Sequence, residues 1–165
     1  LGATIVHRVL AKLTVDRGAE LSNTYQLNVG GNTDFINMLE RERLVSKKIS
    51  KTESVQSQLE VPLDSGHIHI GPSDYVKFLG NTKIAFMRLR GKMWADIPYD
   101  IEVKLEVDDK ANAGGIIADA VRIAKVALER KVGGALVGPS AYLMKHPPLQ
   151  MPDSDAKVEL EKFFS

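Results

Sequence analysis

The chain has 165 residues, about one domain's worth, and its 44% apolar and 26% charged content suffices for a sizeable core. Twenty-two Lys plus Arg against 21 Asp plus Glu leave a net charge of +1, which argues against a dominant nucleic-acid-binding surface or an acidic disordered tail. The absence of Cys excludes disulfides, Cys-ligated zinc, iron–sulfur clusters and a Cys nucleophile. No apolar run approaches the length needed to cross a bilayer core of roughly 30 Å, so no membrane partner is expected. His7, Arg8 and Lys12 interrupt the opening stretch where a signal peptide would be apolar, and a cytoplasmic location is the expectation. Leu1 is not Met and helical periodicity begins at once, as expected of a piece of a longer polypeptide.

Ile5, Val6, Val9, Leu10 and Leu13 recur at helical spacing, with Gly18 placed as the residue that stops the helix, which predicts a first helix over Thr4–Arg17. Tyr25, Leu27 and Val29 alternate with Thr24, Gln26 and Asn28, the period of a half-buried strand, which ends in Gly30-Gly31-Asn32. Phe35–Leu44 reads as a short charged helix. Ser50 followed by Glu53 reads as a capping box opening another helix to about Leu59. His67–Ile70, Lys83–Arg90 and Ile101–Val107 alternate as strands. A long helix is expected from Asn112, with Ile116, Ile117, Ala120, Val121, Ile123, Ala124 and Leu128 on one side and Gly133-Gly134 as its stop. A last amphipathic helix covers Ser154–Phe164. The sum is an α+β fold, a mostly antiparallel sheet with helices on one face.

Chemistry is carried by scattered groups rather than by one motif. His67 and His69 share a strand face, but two ligands without a third make either a weak metal site or a plain polar face, and no metal is expected. Lys47 and Lys51 are four apart, so on a helix both ammonium groups project from one side, forming a solvated basic face or flanking an anion. Lys145 ends the apolar run Ala141-Tyr142-Leu143-Met144 before His146-Pro147-Pro148. A lysine so placed either snorkels to water or has its pKa lowered for proton transfer. Asp109 closes the last strand where a carboxylate caps a helix or faces a ligand. Asn28 and Asn32 flank the Gly30-Gly31 turn, where backbone N–H groups can approach a ligand closely.

Five stretches together resemble the inositol-1-phosphate (inositol-3-phosphate) synthase family, its short prokaryotic branch most of all. They are Leu27-Asn28-Val29-Gly30-Gly31-Asn32-Thr33-Asp34, Ser46-Lys47-Lys48-Ile49-Ser50-Lys51-Thr52, Ile70-Gly71-Pro72-Ser73-Asp74-Tyr75, Asn112-Ala113-Gly114-Gly115, and Ser140-Ala141-Tyr142-Leu143-Met144-Lys145-His146-Pro147-Pro148. The likeness runs in family order from about Gly2 to Phe164. It implies an NAD-dependent enzyme that turns D-glucose 6-phosphate into 1L-myo-inositol 1-phosphate by oxidation at C5, enolisation, intramolecular aldol closure and reduction. It also implies a homotetramer of two-domain subunits. This chain then corresponds to the second domain of a Rossmann-type enzyme whose NAD-binding half is largely absent. Residues 1–133 would be the catalytic and tetramerisation domain, and 134–165 the segment returning to the Rossmann domain.

The resemblance places the family's active-site lysines on Lys47, Lys51, Lys83 and Lys145. Lys47 and Lys145 are assigned to the substrate's O5, Lys51 and Lys83 to its phosphate and O1. Asn32 falls where a phosphate contact is expected, and Asp109 and Asp34 match acids on the cofactor side. Two positions depart from the family pattern: Asn81 stands where Asp is usual, and Lys110-Ala111 replaces Ser/Thr-Pro. Two other classes compete with this reading: the substrate or oligomerisation domain of another NAD(P)-dependent dehydrogenase, and a non-catalytic self-association module.

Overall fold

The computed structural model describes residues 2–37, 49, 51–71 and 74–165. In chain order these form α1 (Ala3–Asp16), β1 (Glu20–Gly30), α2 (Thr33–Asn37), a helix over 51–56 here called α3, β2 (Ile68–Ile70), β3 (Thr82–Lys92), β4 (Pro98–Asp108), α4 (Asp109–Glu129), α5 (Val137–Leu143) and α6 (Asp153–Phe164). The chain divides into two compact units, Leu1–Asp109 and Lys110–Ser165. The fold is α+β, as the periodicities predict. The part of the charged helix expected beyond Asn37, and the capping residue Ser50, lie outside the described residues.

In the first unit the strands form one sheet in the order β2-β1-β3-β4. The β1–β3 and β3–β4 pairings are antiparallel, while β2 joins β1 in parallel. One face carries the core. Ala11 of α1 and Val55 of α3 meet Leu21, Ile68, Ile70 and Leu89, and Ala3 meets Ala85 and Met87. Ile101, Val103 and Leu105 of β4 point the same way, because they pair with Leu89, Met87 and Ala85.

Two faces are turned the opposite way from the sequence expectation. Along β1 from Thr24 onward the inward side chains are Thr24, Gln26 and Asn28, whereas Leu27 is 42% exposed. On α1 the buried stripe is Ala3, Thr4, His7, Arg8, Ala11 and Thr14, while Ile5, Val9 and Leu13 face outward. The two reversals have one cause. Small residues let α1 lie close on β1, and His7, Thr24 and Gln26, brought together there, bond to one another. The His7 ring nitrogens lie 2.7 Å from Thr24 Oγ1 and 3.3 Å from Gln26 Oε1. A buried polar side chain with a partner avoids most of the desolvation cost that normally drives such residues outward.

Local stops follow the expected chemistry with one exception. Gly18, at φ +69°, ends α1, its N–H reaching Val15 O and the next N–H reaching Thr14 O. At the end of α4 the left-handed position is taken by Lys131 (φ +57°), not by Gly133 or Gly134, with Val132 N–H closing back onto Ala127 O. That helix also begins three residues earlier than predicted, at Asp109. In the second unit Gly138 lets α5 approach α6, since a Cβ there would fall 2.6 Å from Glu159 O. The Arg130 guanidinium binds the Phe163 and Phe164 carbonyls, capping the open end of α6.

No helix among the described residues is long and apolar enough to cross a membrane.

Candidate active site

The end of β1 and the starts of β3 and α4 bring three of the sequence-predicted residues to one point. Glycine makes the turn possible. Gly31 has backbone on its open side, so that a Cβ there would lie 2.4 Å from Gly80 N and 2.7 Å from Val76 O. The floor under this turn is paired to β1 on either side of it, Gly30 N–H donating to Asp74 O and Val76 N–H to Gly30 O.

Asn32 follows that turn and is held at both ends of its amide. Its Oδ1 accepts the Asp34 N–H (3.0 Å) and Phe35 N–H (3.4 Å), capping α2. Its Nδ2 therefore points away and donates to Asp109 Oδ2 at 3.1 Å. The other carboxylate oxygen of Asp109 accepts from Lys83 Nζ at 3.2 Å. The pair is largely shielded, with side-chain exposures of 14% for Lys83 and 24% for Asp109. Asp109 is itself fixed by its N–H, which donates to Asn81 O at 3.0 Å.

Asn81 thus serves the cluster through its backbone, and the carboxylate that orients Lys83 is Asp109. A lysine held this way presents a positive charge in a place where few waters compete. Such a charge contributes about 4 kcal/mol toward an anion at 4 Å when the effective dielectric is near 20.

The other predicted residues are placed as follows. Lys51 lies on α3 and is buried, as are Ser54 and Val55 of the same helix. Asp34 lies exposed in the first turn of α2. Lys145 follows α5 in the second unit and is exposed. Lys47 lies outside the described residues. His67 places Nδ1 2.7 Å from Asn23 Oδ1, and His69 stands opposite Tyr25 on the other face of the sheet from α1. Among the described residues no group of three or more His, Cys, Asp or Glu is arranged to hold a metal.

Sequence reasoning missed the buried chain that runs beneath the site from His7 through Gln26 and Asn28. Gln26 Nε2 donates to Asn28 Oδ1 at 2.7 Å, and Asn28 Nδ2 donates to Gly71 O at 2.9 Å. Polar residues in phase on one strand face were the only available signal, and that pattern ordinarily marks the wet face.

Burial lowers the His7 pKa to about 4 from the usual 6.5, against a smaller opposing effect of its bond to Gln26. The consequence for stability has a definite sign. Between pH 6.5 and 4 the unfolded chain binds a proton that the folded chain does not, so stability is full above pH 6.5 and falls as the pH drops through that window. About 3 kcal/mol is at stake at roughly 1.4 kcal/mol per pH unit. Thermal melts of the parent and of His7→Gln between pH 7.5 and 4 check this, the variant being expected to lose distinctly less over the window. Parallel curves would refute it.

The family model described as myo-inositol-1-phosphate synthase matches residues 2–110. An inositol-3-phosphate synthase of Mycobacterium tuberculosis is 56% identical over 163 residues, covering 99% of this chain and 44% of that protein. The inositol-3-phosphate synthase of Corynebacterium glutamicum is 52% identical over 168 residues, covering 99% of this chain and 46% of its own length. The chain thus spans less than half the length of these curated relatives. Among solved structures, a myo-inositol-1-phosphate synthase-related protein from Thermotoga maritima has a TM-score of 0.86 at 24% identity, covering 99% of this chain and 43% of that one. An inositol-3-phosphate synthase from Caenorhabditis elegans has a TM-score of 0.80 at 20% identity, with 98% and 35% covered. At those identities the two structures speak to the fold alone.

Proposed function

The chain belongs to the myo-inositol-1-phosphate synthase family, and from that premise we propose that it is the catalytic part of an enzyme converting D-glucose 6-phosphate into 1L-myo-inositol 1-phosphate. The observation that carries this reading is the convergence of Asn32, Lys83 and Asp109, residues from three separate elements, on one shielded cluster. In this proposal residues 1–133 form the catalytic and tetramerisation domain, and 134–165 return to an NAD-binding domain carried elsewhere in the complete polypeptide. The complete protein works as a cytoplasmic homotetramer.

NAD⁺ fits this chain at one end only. Asp109, at the start of α4, is a carboxylate fixed from two sides, suited to hold the nicotinamide edge. No strand-GxGxxG-helix turn is present in the sequence to cradle a pyrophosphate. A bound NAD⁺ would supply reversible hydride acceptance at C5, which leaves the overall change an isomerisation.

The chain's own residues handle charge and protons. Lys83, oriented by Asp109, and Lys51 bind the phosphate and stabilise negative charge on O1 as the ring closes. The second N–H of the Asn32 amide, whose orientation is set by its cap on α2, is the phosphate donor. Lys47 and Lys145 serve O5, taking its proton during oxidation and stabilising the enolate oxygen that follows.

The test is direct. The complete polypeptide with NAD⁺ and D-glucose 6-phosphate should form inositol phosphate, and glucose 6-phosphate should raise its melting temperature. The 165-residue chain alone should show no turnover, because hydride transfer needs the dinucleotide in place. Absence of product from the complete polypeptide, or product from the short chain, would overturn this reading.

A further inference from the structure

We propose that His7 is a positioning residue: held as the neutral Nδ1–H tautomer, it acts through Gln26 and Asn28 to fix Gly71 and, through the bonds that Asp74 and Val76 make with Gly30, the turn that carries Asn32. The inference rests on the reading of Asn32, Lys83 and Asp109 as the substrate cluster.

The tautomer follows from the far end of the chain. Gly71 O is a carbonyl oxygen and can only accept, so the Asn28 atom 2.9 Å away must be its NH₂ group. Asn28 Oδ1 then faces Gln26, which must supply its own NH₂, at 2.7 Å. That leaves Gln26 Oε1 turned toward His7, and the ring nitrogen facing it, Nδ1, must carry the proton. One fixed carbonyl thus sets the direction of every bond back to the imidazole, whichever way each amide is first drawn. The remaining ring nitrogen, Nε2, is 2.7 Å from Thr24 Oγ1. In the neutral ring it accepts the Thr24 hydroxyl proton, although that hydroxyl also has Arg88 O within 2.9 Å.

The chain ends where the site's floor begins. Gly71 is pinned to β1 twice, its N–H donating to Gln26 O and its carbonyl accepting from Asn28. Pairing with β1 resumes at Asp74 and Val76, both bonded to Gly30. Gly31 in turn sits with room only for hydrogen against Val76 and Gly80. A shift of this segment relative to β1 therefore moves the turn from which Asn32 reaches Asp109.

Stability alone does not require such a construction. Three consecutive inward positions of β1, residues 24, 26 and 28, are polar and buried, yet well-packed apolar groups of the same shape are usually as stable. A fully satisfied polar chain adds direction, because each donor must meet one acceptor.

Two measurements on the complete polypeptide test the proposal. Nitrogen-15 spectra at pH 7.5, with His7 assigned by its loss in His7→Gln, should show Nδ1 protonated and Nε2 unprotonated. The opposite tautomer or an imidazolium would overturn the proposal, and this arm stands even if no turnover is found. The second arm uses Asn28→Asp, which keeps the shape but removes the donor to Gly71. Well below its melting temperature it should raise KM for glucose 6-phosphate about 10-fold or more while kcat changes by less than 3-fold. An unchanged KM in a folded variant would overturn the role. If Asn28→Asp fails to fold, His7→Gln takes its place with the same expected split. A parent without turnover would count against the functional reading and leave the tautomer result to decide on the chain itself.

Discussion

Lys83→Ala in the complete polypeptide should lower kcat/KM for glucose 6-phosphate by about 10²–10³-fold, the usual cost of losing one preorganised donor to a developing oxyanion. The expectation follows from Lys83 being shielded and held at 3.2 Å by Asp109, so that its charge is already in place before the reaction begins. Asp109→Asn separates charge from shape. The amide still fits between Asn32 and Lys83, but the ammonium loses its counter-charge, and Asn32 and the new amide must share donors and acceptors. A loss of about 10-fold or more is expected. The double variant should be little worse than Lys83→Ala, because both changes act on one unit. Steady-state kinetics of the three variants check this. Fully multiplicative losses would mean that the two residues act separately, against the geometry.

Gly91→Ala should be the most damaging small substitution in the sheet. A Cβ at this position would lie 1.7 Å from the Glu20 carbonyl oxygen and 2.8 Å from the Tyr99 ring. The first of these is backbone within the β1–β3 ladder, where pairing shifts register between Leu21 and Asn23. It cannot swing aside as a flexible side chain would. Relief requires the two central strands to part, so a loss of at least about 3 kcal/mol is expected. For a chain of this size that corresponds to a fall in melting temperature of roughly 10 °C. Gly114→Ala, in α4 with nothing within 4 Å, is the matched control. It should leave the melt unchanged or raise it, since alanine is the better helix former. Equal melting temperatures for the two variants would show that the β1–β3 approach is looser than described.

How much of this was legible in the sequence depended on whether polarity and burial agreed. In β4 they do: Ile101, Val103 and Leu105 face the core and Glu102, Lys104 and Glu106 face out, as alternation predicts. In α1 and β1 they do not. The interior between them is built from Thr4, His7, Thr24 and Gln26, and period alone turned both elements the wrong way round. Only knowledge of the partner across the interface reveals that such groups are satisfied. The parallel entry of β2 was likewise hidden, since a strand of three residues carries no mark of direction.

For the candidate site, the resemblance picked out Asn32, Lys83 and Asp109, which the fold brings together from positions up to 77 residues apart. Composition and spacing alone could not have joined them. Their convergence depends on the end of β1 lying beside the start of β3, Gly30 opposite Lys83.

The sheet order also says in what sequence the fold can assemble. β3 and β4 pair along their whole length across the short connection 93–97, so this hairpin closes with little loss of chain entropy. β1 must then find β3 across contacts such as Thr24 to Arg88, 64 residues apart, and β2 docks on β1 through pairs such as Thr24 and Ile68. Distant pairings are the slow ones. The Gly31 turn is complete only when both long loops have closed, so the Asn32–Asp109 contact belongs to the last stage of folding. By the same logic it is the first to be lost when the sheet opens from its β2 edge, and amide protection along β2 should be the weakest in the sheet.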